Sequence, residues 1–190
     1  FVPKRDFASL YLNIAANTGA LYLAEASVVQ LEIKTASTAG NLLKNGGFAA
    51  AGDWAFHRRI GVSEVAYEPS GERTSAVIRA VRPDPKKRFA GKYAVHSLLH
   101  QNVSGLTPGK RYRVKVTYRT GGGFDGVMMV WAHCKNGDAG QNIQIDGVPS
   151  DEWKTVERSF VAGRDRADIY LNFGGDRGWI AFSEAVVIPE

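Results

Sequence analysis

The sequence has a single cysteine, Cys134, so no internal disulfide can form. That excludes a disulfide-stapled scaffold and a metal site built from several thiolates. Cys134 lies within an apolar strand pattern and reads as a small buried filler. No apolar run approaches the roughly 18 to 20 residues that a bilayer-spanning helix needs. Helical periodicity is absent too: no window keeps apolar residues at i, i+3, i+4 and i+7 for three turns. No Gly-x-Ser-x-Gly occurs, and no phosphate-cradling loop opens a helix. The acids fall mostly in turns (Asp125, Asp138, Asp151, Asp176), and no pair of them forms an acid/base couple. These absences argue against an enzyme.

Strand signals fill the chain. β-type runs occupy 73–81, 93–103, 111–120, 126–134, 153–161, 168–173 and 179–188. Turn chemistry separates them, as in "LTPGK" (106–110), "GGGFDG" (121–126) and "KNGD" (135–138). Pro108-Gly109 predicts a type II turn, because glycine accepts positive φ. In "RYRVKVTYRT", Tyr112, Val114, Val116 and Tyr118 share one face and Arg111, Arg113, Lys115 and Arg119 the other. One face is core and the other wet, as in an antiparallel sheet. The fold class is therefore all-β: an antiparallel β-sandwich.

Charge is unevenly spread. Residues 57–119 hold 14 Lys and Arg against 4 Asp and Glu, and residues 120–190 hold 6 against 11. The basic middle either attracts an anionic partner or lies beside acidic strands that neutralise it. No nucleic-acid motif accompanies it, so no nucleic acid is expected as a partner.

The chain also repeats itself. Residues 1–30 and 160–189 align without a gap at twelve positions, among them Arg5/Arg164, Asp6/Asp165, Tyr11/Tyr170, Asn13/Asn172 and Glu25/Glu184. Residues 1–32 therefore read as the closing β-hairpin of a preceding, similar module, 33–40 as a linker, and 41–190 as an intact module. Two strands bury too little to be stable alone. The hairpin is thus expected to add its strands to a sheet supplied by another chain or a second copy.

"NLLKNGGF" (41–48), followed by Trp54, resembles the opening strand of the jelly-roll carbohydrate-binding modules appended to xylanases and cellulases. The resemblance continues through "LLHQNVSGLTPGKRYRVKVTYR" (98–119) and "EWKTVERSFV" to "IYLNFGGDRGWIAFSEAVVI". It implies a jelly roll, a polysaccharide partner and an extracellular or cell-surface setting. It also implies a structural calcium held by an acid after "NGGF" and by acids in the last strand. Here those positions are Ala49 and Ser183-Glu184, which leaves Glu184 as the one expected ligand.

Two functions remain open. One is non-catalytic binding of a polysaccharide, acidic if the basic middle takes part. The other is a structural or assembly module that joins chains by strand addition and has no glycan site. A sugar site needs rings that stack on pyranose faces and polar groups for the hydroxyls. In "VMMVWAHC", Met128, Val130, Ala132 and Cys134 form the plainer core face, which turns Trp131 and His133 outward. His96 and His100 share a strand face, about 13 Å apart by strand rise, too far to ligate one ion. Arg113 and Lys115 offer cations, and Trp179 sits beside a turn. Trp131, His133, His96, His100, Arg113, Lys115 and Trp179 are the candidate glycan residues. Trp153 reads as a plug at the end of the sandwich.

Overall fold

In a computed structural model, residues 39–190 are described, apart from Glu72. The hairpin assigned to 1–32, its expected partner chain, and the linker up to residue 38 lie outside the described residues. Among the described residues, ten strands form two antiparallel five-stranded sheets. The first sheet has the order β1 (Ala55–Ile60), β4 (His96–Ser104), β9 (Arg166–Gly174), β6 (Val127–His133), β7 (Asn142–Gly147). The second has the order β2 (Val62–Ser70), β3 (Arg73–Arg82), β10 (Trp179–Pro189), β5 (Arg111–Gly121), β8 (Lys154–Val161). Consecutive strands repeatedly change sheet, and the result is a jelly-roll sandwich.

Alternation puts the core between the sheets. Tyr112, Val114, Val116 and Tyr118 of β5 are buried, and they face Met128, Val130, Ala132 and Leu171 of the first sheet across one apolar cluster. Each Val, Leu or Met among them contributes about 1.5–3 kcal/mol by leaving water. The seven strands read from the sequence are present. Three were not read: β1 ("AFHRRI"), β2 ("VSEVAYEPS") and β7 ("NIQIDG"). β1, β2 and β7 lie at sheet edges, where one flank stays wet and apolar alternation weakens. Trp153 also differs from the reading. It does not plug the sandwich end but lies 37% exposed, with the Arg119 guanidinium 4.8 Å above its ring.

Two turns show why their residues are there. Lys110 donates its backbone N–H to the Thr107 carbonyl at 3.1 Å, and Gly109 takes φ +82°, the type II geometry. In "NLLKNGGF", Asn41 donates to the Ala185 carbonyl and accepts from the Val187 N–H, stitching the segment to β10. The Ala185 N–H donates to the Gly46 carbonyl at 2.7 Å. A Cβ on Gly46 would come within 2.2 Å of the Ala185 oxygen, so only glycine fits. Phe48, fully buried, then packs on Trp54 and Phe182.

The charge imbalance resolves locally. On the outer face of the second sheet, Arg113 pairs with Glu190 at 2.7 Å and Glu157 at 3.8 Å, and Lys115 pairs with Glu184 at 3.1 Å. Basic β5 lies between β10, which carries Glu184 and is followed by Glu190, and β8, which carries Glu157. Neutralisation by neighbouring strands, the second of the two expectations for the basic middle, accounts for this part of it.

Candidate functional site

The outer face of the first sheet carries a grid of polar and aromatic side chains, because the core takes the alternate positions. Cross-strand register lines up Ala55, His100, Tyr170, Trp131 and Gln144 across five strands. The next line is Asn102, Asp168, His133 and Asn142. Directly opposed side chains in a sheet meet at about 5 Å, so these rings touch. His100 stacks on Tyr170 with centroids 4.7 Å apart and planes at 15°. Trp131 stacks on His133 at 5.8 Å and 8°, and both border Tyr170, at 6.3 and 5.2 Å. His57 of β1 extends the row, 5.9 Å from His100. Five rings thus run unbroken over β1, β4, β9 and β6. All five are partly exposed.

One flank of the row is polar. Asp168 accepts hydrogen bonds from His100 and Asn102, both at 3.1 Å, and from Arg164 at 3.0 Å. Arg164 also donates to the His133 carbonyl, which ties the loop before β9 to β6. Burial alone would raise the Asp168 carboxyl. The bonds from Asn102 and His100, with the charges of His100 and Arg164, hold it below the ordinary carboxylate range. Tyr170 is pushed up, first by burial and then by the Asp168 charge. His57 is held down by burial, then by the charges of Arg59 and His100. Arg59 sits at a β-bulge of β1, which re-aims its side chain.

The other flank is closed by a loop. Phe89, from the "RPDPKKRFAG" segment, lies flat on His96 with centroids 3.7 Å apart. Asp84 accepts from the Lys86 and Lys87 N–H groups and so folds the loop back. Gly174 makes room, since a Cβ there would meet the Phe89 ring at 2.8 Å. His96 therefore lies on the outer face yet only 7% exposed, bonded to Asn172 at 3.2 Å. Burial depresses its pKa, and the Asn172 bond only partly opposes this.

Of the residues proposed from sequence, the structure brings Trp131, His133 and His100 into one row and places His96 beneath Phe89 at its border. It does not bring Arg113, Lys115 or Trp179 there. Those three lie on the second sheet, Arg113 and Lys115 in ion pairs and Trp179 under Arg119. Sequence reasoning missed Tyr170, His57, Asp168 and Arg164. The signal for Tyr170 was present: in "DIYLNF" the apolar set Ile169, Leu171 and Phe173 leaves Asp168, Tyr170 and Asn172 on the opposite face.

Calcium needs six to eight oxygen ligands; the Glu184 carboxylate, the one ligand the resemblance implied, faces the Lys115 ammonium at 3.1 Å. Among the described residues no cluster of three or more His, Cys, Asp or Glu could hold a metal. His100 and Asp168 are bonded, but among the described residues no serine, threonine or cysteine is bonded to either as a nucleophile.

No family model and no curated protein matches this chain. Solved structures do. TmCBM61, a carbohydrate-binding module solved with β-1,4-galactotriose, is 18% identical with a TM-score of 0.56, over 79% of this chain and 99% of that one. CBM4 is 16% identical with a TM-score of 0.55, over 78% and 99%. The enzymatically active domain of bacteriophage CBA120 tailspike protein 4 is 14% identical with a TM-score of 0.57, over 80% of this chain; the match spans only 22% of the tailspike chain.

Proposed function

We propose, from the jelly-roll sandwich fold that the chain shares with carbohydrate-binding modules, that residues 41–190 are a non-catalytic module that binds a polysaccharide along the outer face of the β1-β4-β9-β6-β7 sheet. The observation that carries this reading is the unbroken row His57–His100–Tyr170–Trp131/His133. Partly exposed rings offer apolar surface to the C–H faces of pyranoses. Asn102, Asp168, Arg164, Asn142 and Gln144 beside them supply donors and acceptors for hydroxyls. An open sheet face, rather than an enclosed cavity, suits a chain that runs past.

The polymer we favour is acidic. Arg59, whose charge acts on His57 and Tyr170, and the loop cations Lys86, Lys87 and Lys92 are exposed and form no ion pair among the described residues. Such cations attract carboxylated or sulfated chains. The parent protein would then work outside the cell, where such polymers are met, and the module would hold it on its substrate.

Affinity electrophoresis in gels containing xylan, β-glucan, galactan or polygalacturonate tests both parts. Retardation by polygalacturonate above the neutral polymers, lost in Tyr170→Ala, is the expected result. Retardation by neutral polymers only would remove the acidic assignment. Free migration of folded protein in every gel would leave the structural, chain-joining module as the better reading.

A further inference from the structure

The second sheet has its own concavity. On its outer face, β3, β10 and β5 place Val77, Ala181 and Arg119 side by side, and the small Ala181 leaves a depression. Ser75, Arg79, Glu68 and Trp179 wall it, and its volume is about 80 Å³. That is well below the roughly 300 Å³ of the smallest ligand pockets, so the depression admits one end of a single sugar residue and not a chain.

Its chemistry is distinctive. Arg119 lies over two indoles, its guanidinium carbon 4.8 Å from the Trp153 ring centroid and 5.6 Å from that of Trp179. Cation–π contact with both rings holds the guanidinium in place. Arg79, the other cation, is committed to Glu68 at 2.7 Å. Arg119 has no carboxylate partner among the described residues, and its Nε–H is buried without a hydrogen bond. The Ser75 hydroxyl, on a residue 1% exposed, also lacks a partner. Buried polar groups are rarely left so, because each unmet bond costs about 1–3 kcal/mol. Two of them line one pocket, beside a cation with no counter-charge.

We propose that this pocket is a second ligand site, separate from the ring row, that takes a single carboxylate-bearing sugar residue. The planar guanidinium of Arg119 matches a carboxylate bidentately. Ser75 and the Glu68 carboxylate line the pocket on the side of the hydroxyls, and Trp179, which also lines it, offers its ring to the C–H face of the sugar. The site stands whether or not the row on the other sheet binds glycan.

The test is titration of the whole chain with sodium D-glucuronate and D-galacturonate, read by the NMR signal of the Arg119 Nε–H and by tryptophan fluorescence. Saturable shifts with a uronate are expected, weakened on the order of tenfold or more by Arg119→Met. Ala181→Leu, which fills the depression, is expected to have the same effect. Tyr170→Ala is expected to leave these shifts intact while removing polysaccharide retardation, so this site and the ring row fail separately. Equal shifts from glucuronate and its uncharged methyl ester would overturn the carboxylate assignment. Equal shifts from acetate would overturn the sugar assignment. An unmoved Arg119 signal in folded wild-type protein would overturn the site itself.

Discussion

Tyr170 and His100 stack at 4.7 Å although seventy residues separate them in the chain, because β4 and β9 pair in a register that sets them directly opposite. Every other ring of the row touches one of these two or is stacked on a ring that does. The pair is therefore the centre of the proposed surface, and removing it breaks the row in two.

Tyr170→Ala should lower affinity for the polysaccharide by about 1–2 kcal/mol, roughly tenfold, with little change in fold, since the ring is partly exposed. Trp131→Ala should act similarly and His57→Ala, at the end of the row, less. Calorimetric titration with a soluble oligosaccharide would measure this. An unchanged affinity in Tyr170→Ala would place the ligand elsewhere.

Arg113→Ala and Lys115→Ala should leave that affinity unchanged, because both side chains lie on the opposite sheet. Lys115→Ala should cost up to about 1 kcal/mol of stability, since the pair is partly exposed on the lysine side. Urea unfolding of the variants beside wild type separates the two effects.

Calcium should add nothing to stability. With the Lys115 ammonium 3.1 Å from Glu184, the melting temperature in excess chelator should equal that in excess calcium. A chelator-dependent fall would show that oxygen ligands do assemble there.

Gly46→Ala should destabilise by about 1–3 kcal/mol, because the new methyl would overlap the Ala185 carbonyl. The loss of the Ala185–Gly46 bond would detach the opening segment from β10. Gly109→Ala should cost less, about 1 kcal/mol, as its difficulty is positive φ rather than space.

Stability should fall as pH drops below about 6.5. His57 and His96 have pKa values held below that of an unfolded histidine, so between the two values the unfolded chain binds more protons. Stability then rises with pH across that window and is lost on acidification. Asp168 adds a second loss at lower pH, when its depressed carboxyl is finally protonated. Melting curves from pH 8 to 5 should show the first step, and His96→Gln should flatten it. An equal slope in that variant would exclude His96 as a source.

Much of this architecture was legible beforehand. "RYRVKVTYRT" announces its two faces because strand side chains alternate with period two, and its observed burial follows that alternation. The same rule turned Trp131 and His133 away from Met128, Val130 and Ala132. It was weaker for "NIQIDG" and "AFHRRI", edge strands whose polar flanks dilute the pattern. It could also have found Tyr170, whose neighbours Ile169 and Leu171 are plainly apolar.

Alternation is a local property, so it tells which residues of one strand share a face. It cannot tell which strands share a sheet. Arg113, Lys115 and Trp131 all stand on wet faces, and by sequence they are equal candidates for one surface. Long-range pairing separates them: β5 joins β10 and β8, while β6 joins β9 and β7. Hydrogen-bond register across distant strands then assembled the ring row, set Arg119 over two tryptophans, and paired Glu184 with Lys115. The residues and their facing were written in the chain, and strand order, a matter of contacts far apart in sequence, chose their neighbours.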